Sequence, residues 1–116
     1  MSITLVVLSA CSNGPVIDEQ VEQPVEVLYN EALDLALANQ PKKAATKFEE
    51  VERQHPYSVW AVRSQIMAGW AFYAENDYQR AVATLDRFIE LYPADPLTEY
   101  AYYLRALCFY EQIVDV

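Results

Sequence analysis

A chain of 116 residues with 53% hydrophobic side chains holds one modest core and leaves no room for a second domain. A net charge of −9 repels phosphate backbones and anionic headgroups alike, which argues against nucleic-acid binding and against electrostatic adsorption to a membrane. Two cysteines permit at most one bridge, so this is no disulfide scaffold, and two glycines amid abundant Ala, Leu, Glu and Gln favour helix.

The first ten residues carry an apolar run, Ile3 to Ala10. A bilayer-spanning helix takes about 20 residues, so the run is too short to cross. It suits the apolar stretch of a secretory signal followed by small residues, although no Lys or Arg precedes it. Leu8-Ser9-Ala10-Cys11 resembles a bacterial lipobox. That resemblance implies cleavage before Cys11, which becomes the lipidation site and the first mature residue. Two or more acyl chains anchor a protein stably where one does so only marginally. An ordinary signal peptide is the competing reading. Residues 11–24 then read as the lipidated cysteine and a flexible tether, acidic through Asp18, Glu19 and Glu22 and interrupted by Pro15 and Pro24.

Helical signals follow in series. Pro24 and Glu26 open a first helix that closes at Asn39. Ala44, Phe48 and Val51 mark one face of a second, which His55-Pro56 stops, since the residue before proline is pushed out of the helical region. Ser58 can cap a third helix running to about Glu75, and Asp77 a fourth ending near Tyr92-Pro93. Asp95-Pro96 reads as cap and first-turn proline of a fifth, from Pro96 to about Val114. No segment alternates with period two over a strand's length, so the chain reads as all-α.

The helices repeat. Ala44 and Ala81, Phe48 and Leu85, Val51 and Phe88, and Pro56 and Pro93 each lie 37 residues apart. Ala32, Gly69 and Ala106 keep the same spacing, as do Leu35, Phe72 and Phe109. A small residue, a large apolar residue three later, alanine twelve later and a closing proline resemble the tetratricopeptide repeat (TPR), in which two antiparallel helices approach closely at the small positions. The expected fold is a TPR superhelix of antiparallel helix pairs, about two and a half repeats spanning residues 25–57, 58–94 and 95–116, the last incomplete.

Leu85 to Leu107, "LDRFIELYPADPLTEYAYYLRAL", carries a closer resemblance. Asp86-Arg87-Phe88-Ile89, Pro93, Pro96, Glu99-Tyr100, Tyr103 and Arg105-Ala106-Leu107 are similar to the BamD family of outer-membrane lipoproteins, part of the β-barrel assembly (Bam) machinery. Ala106 stands where that family usually has glycine. "FEEVERQHPYS", the lipobox and the acidic tether fit its N-terminal half. The resemblance implies a lipid-anchored protein on the periplasmic face of the outer membrane. Its N-terminal repeats would recognise unfolded outer-membrane β-barrel proteins through their C-terminal targeting strand. Other Bam subunits would be partners, with docking to BamA assigned to C-terminal repeats outside these 116 residues. A general periplasmic TPR adaptor of the cell envelope is the alternative.

The side-chain inventory points away from an enzyme. The one histidine, His55, reads as a helix C-terminal residue favoured by the dipole. Glu49-Glu50 reads as a solvated face, and Cys108 as a small buried thiol. No His/Cys cluster has metal-ligand spacing and no serine lies in a nucleophile-elbow motif, so no metal or cofactor is expected. What remains is a binding surface. Applying the repeat, the inward positions of the first helices are Glu26, Tyr29 and Leu33; Arg63, Ile66, Trp70 and Tyr73; and Tyr100, Tyr103, Leu107 and Tyr110. The candidate peptide-binding groove is therefore Tyr29, Arg63, Ile66, Trp70, Tyr73, Tyr100, Tyr103 and Tyr110. Trp70 and Tyr73 share one helix face, and Tyr100 and Tyr103 repeat the arrangement, so the four are expected to form an aromatic wall. Such rings offer large contact area with a polar end. Plain packing between repeats is the competing account of the tyrosines.

Overall fold

The computed structural model describes residues 22–114, so Cys11, the leader and most of the tether lie outside the described residues. Five α-helices follow one another: α1 Val25–Leu37, α2 Pro41–Gln54, α3 Val59–Ala74, α4 Tyr78–Leu91 and α5 Thr98–Val114. Among the described residues there is no strand. Each helix packs against the next, and the first helices of successive pairs, α1, α3 and α5, also touch one another. The fold is the expected all-α TPR superhelix of about two and a half repeats.

The two turn types repeat with the 37-residue register. Within a pair, Asn39 (φ 56°) and Asn76 (φ 65°) adopt the left-handed conformation that closes a helix. Around each, the N–H groups of Asn39 and Gln40 bond the carbonyls of Ala36 and Leu35, and those of Asn76 and Asp77 bond Tyr73 and Phe72. α1 thus ends at Leu37, two residues before the asparagine that turns the chain. Between pairs, His55 and Tyr92 share one backbone geometry, φ/ψ of −131°/58° and −130°/58°. Ser58 Oγ then accepts from the Ala61 N–H at 3.0 Å, and Asp77 Oδ1 from the Arg80 N–H at 3.2 Å, capping α3 and α4 as expected. α5 begins at Thr98 and not at Pro96. The Asp95 carboxylate accepts from the Leu97 N–H at 2.8 Å, which folds Pro96 and Leu97 into a turn ahead of the helix.

The repeat positions form the core. Ala32, Ala44, Phe48, Val51, Ala81, Leu85 and Phe88 are fully buried. Gly69 is small for a steric reason: a Cβ there would stand 2.8 Å from Leu85 Cδ2. In the first pair the corresponding positions carry alanine at 32 and phenylalanine at 48. The third unit breaks the pattern. Ala106 is exposed, and its companions Tyr102 and Phe109 are 55% and 45% exposed, since no second helix packs on them among the described residues. Ile113 occupies the register of Asn39 and Asn76. A β-branched residue resists positive φ, and α5 runs on through it.

Candidate functional site

The expected groove residues fall into three groups. Tyr29 on α1 is half-buried, its ring 5.7 Å from Phe48 and 4.9 Å from Trp60 on α3. The Arg63 guanidinium lies one turn beyond Trp60 and 5.6 Å from its ring. Burial pushes the Tyr29 hydroxyl up from its ordinary pKa, and the neighbouring Arg63 charge pulls it partly back. Ile66, only 4% exposed, belongs to the core and supports this face from below.

The second group is Trp70 and Tyr73, both half-buried against the core. Tyr73 meets Tyr78 at 6.0 Å. Burial and then the Glu111 carboxylate raise its hydroxyl pKa. The third group lies on α5. Tyr100 and Tyr103 contact each other at 6.4 Å, and Tyr103 and Tyr110 are well exposed. Burial, then Tyr103, raises the Tyr100 pKa. Among the described residues Tyr100 and Tyr103 make a ring contact with each other, and no ring contact joins Trp70 or Tyr73 to either, so the expected continuous wall of four rings is not formed. Of the other inward positions, Leu33 and Leu107 pack against the core and Glu26 is exposed.

Beside Arg63 lies a cavity of about 410 Å³ lined by Val59, Val62, Arg63, Asp95, Pro96 and Leu97. Its walls are apolar and come from the start of α3 and the turn before α5. One oxygen of the Asp95 carboxylate, Oδ1, accepts from the Leu97 N–H. Other arginines have carboxylate partners: Arg53 with Glu50, Arg80 with Glu49, Arg87 with Glu52 and Arg105 with Asp86. Among the described residues Arg63 forms no ion pair. It is held instead on an aromatic face, which leaves its planar fork available for a carboxylate.

Sequence reasoning placed Arg63 and Tyr29 and missed Trp60, Val59, Val62, Pro96 and Leu97. A signal for Trp60 existed, since it stands three residues before Arg63 and so shares its helix face. Pro96 and Leu97 gave none: they read as a helix start, and only the turn brings them to the cavity.

Stacked helix pairs, each carrying one side of its first helix toward its neighbours, define a helical-repeat protein of the tetratricopeptide class. No cluster of three potential metal-binding side chains occurs among the described residues. Residues 21–116 match the family described as "YfiO: Outer membrane lipoprotein", and the chain belongs to that family. It is 50% identical over 95 residues to the protein named outer membrane protein assembly factor BamD from Caulobacter vibrioides, covering 82% of this chain and 31% of the relative. Like-named proteins of Rickettsia prowazekii and Neisseria meningitidis serogroup B are 38% and 35% identical, over 80% and 90% of this chain and 37% and 41% of their own lengths. The chain thus spans between about three and four tenths of the curated relatives it matches.

Proposed function

We propose that these repeats serve a non-catalytic assembly factor for outer-membrane β-barrel proteins, holding the C-terminal end of an unfolded client strand on the first-helix face. The observation that carries this is Arg63, stacked on Trp60, without an ion pair among the described residues and bordering a largely apolar cavity. A client's terminal carboxylate would pair with the guanidinium while its last apolar or aromatic side chain enters between Val59, Val62, Pro96 and Leu97. The tyrosines of α5 supply further contact along the strand. The relatives' names favour this reading over a general envelope adaptor.

Cys11 would carry the diacylglyceryl and acyl (palmitate) groups, with residues 1–10 removed as the signal, so that the chain hangs from the outer membrane on its periplasmic face. Metabolic labelling with palmitate is expected to tag the native chain and to miss Cys11→Ala. Other Bam subunits are the second class of partner.

The test of the groove is peptide binding to the soluble domain. Arg63→Ala and Tyr103→Ala are expected to weaken binding of a peptide ending in an aromatic residue by about 2 kcal/mol, roughly thirtyfold. Glu90→Ala, on the exposed side of α4, should leave it unchanged. Equal loss in all three, or no loss in the two groove variants of a still-folded protein, places the site elsewhere.

A further inference from the structure

His55 has two acceptors around its ring. Its Nε2 lies 2.8 Å from the Gln23 carbonyl oxygen, and its Nδ1 lies 3.6 Å from Glu22 Oε1. Next to it, Gln54 Oε1 accepts from the Gln23 N–H at 3.2 Å. Consecutive side chains at the end of α2 therefore take both main-chain groups of one residue just ahead of α1. The ring is well covered, its side chain only 19% exposed.

The repeat supplies an internal control. Residues 22–24 stand in register with Val59, Trp60 and Ala61, which form the first turn of α3. In the first pair that turn is absent, because Pro24 pushes Gln23 out of the helical region. The main-chain groups of Gln23 are then left for other partners, and Gln54 and His55 provide them. Their register mates, Leu91 and Tyr92, have the same turn geometry and face no such segment. The turn itself requires neither glutamine nor histidine; the incoming chain does.

We propose that Gln54 and His55 clamp the segment through which the N-terminal tether enters the domain, and that the clamp tightens when His55 is protonated. A carbonyl oxygen can only accept, so Nε2 carries a proton in either charge state. In the neutral ring Nδ1 then turns a lone pair toward the Glu22 carboxylate. In the imidazolium the same nitrogen becomes a donor, and the repulsive contact becomes a charge-assisted one. Of the charged groups on the adjoining elements, Glu26 stands in the first turn of α1 and Glu50, Glu52 and Arg53 near the end of α2, while Glu31, Asp34, Lys42, Lys43, Lys47 and Glu49 lie further along the two helices. Glu50 bonds Gln54 and Arg53, and Glu52 bonds Gln65 and Arg87. Glu22 is thus the carboxylate in contact with the ring.

The experiment is amide hydrogen exchange at Gln23, read by NMR on the full chain and corrected for intrinsic exchange at each pH. Protection in the native chain is expected to rise as pH falls from about 8 to about 5.5. Gln54→Ala, which removes the acceptor of the Gln23 N–H, should reduce protection about tenfold, the scale of one hydrogen bond, and His55→Ala should reduce it as well by releasing the Gln23 carbonyl. His55→Gln keeps a neutral donor, so it should retain protection and lose the pH dependence. Glu22→Gln should flatten the dependence as well. The His55 amide, bonded to the Val51 carbonyl, reports whether α2 stays folded in each variant. Unchanged Gln23 protection in folded Gln54→Ala and His55→Ala chains overturns the clamp. A pH-independent native chain overturns the role of protonation.

Discussion

Gln65 takes the place that Leu28 holds one repeat earlier, and it is almost as fully buried, at 2% exposed. Its Nε2 donates to Glu52 at 2.8 Å, and Glu52 also accepts from Arg87 at 2.9 Å, so a polar chain ties α3 to α2 and α4. The Gln65 carbonyl oxygen, however, is buried without a donor. An unmet buried acceptor costs about 1–3 kcal/mol, and the bond to the charged Glu52 contributes about 1.5–3 kcal/mol while Glu52 stays paired with Arg87. The two nearly offset, so Gln65→Leu is expected to leave stability within about 1 kcal/mol, read from chemical denaturation. A loss above that size would mean the polar chain governs how the two pairs register. Leucine at position 28 shows that the site accommodates the aliphatic shape.

The turn inside each helix pair depends on one conformation. Asn39 and Asn76 reach positive φ because a short polar side chain tolerates it. Asn76→Gly should be neutral or slightly stabilising, since glycine adopts the same angle without strain. Asn76→Ile should destabilise by about 1–2 kcal/mol and loosen the junction of α3 and α4. Thermal unfolding of the two variants side by side separates backbone strain from loss of the amide. Ile113 shows the consequence naturally: at the same register position α5 continues as helix and leaves that side chain 73% exposed. Helix ends were legible wherever a cap or proline acted locally, as at Ser58, Asp77 and Pro56. The start of α5 was not, because Asp95 spends its carboxylate on a turn that a cap-plus-proline pattern equally suits.

Stacked repeats bury their apolar faces only against neighbours, so one residue type has different worth along the array. Phe72 and Phe109 are register mates, 2% and 45% exposed. Phe72→Ala should cost about 3–5 kcal/mol through the cavity it leaves. Phe109→Ala in the same chain should change stability by no more than about 0.5 kcal/mol. Urea unfolding of the two variants decides it. Comparable losses would show that the face of α5 around Tyr102, Ala106 and Phe109 is covered in solution, by a second molecule or by rearrangement of the end helix.

Helix number, pairing and the identity of the core follow from the sequence, because each repeat solves the same local packing problem and leaves the same small, large and proline residues 37 apart. That periodicity placed Ala32, Phe48, Leu85 and Phe88 before any coordinates. It could not say which aromatic rings meet, since a register fixes a helix face and not the angle at which neighbouring helices carry their faces together. Tyr29 reaches Trp60 from another helix, and Pro96 and Leu97 reach the Arg63 cavity from a turn more than 30 residues away. His55 meets Gln23 across 32 residues, and nothing in a repeating pattern records a contact made by the one segment that does not repeat. Those juxtapositions are fixed by helix packing, which brings distant residues within hydrogen-bond and van der Waals range.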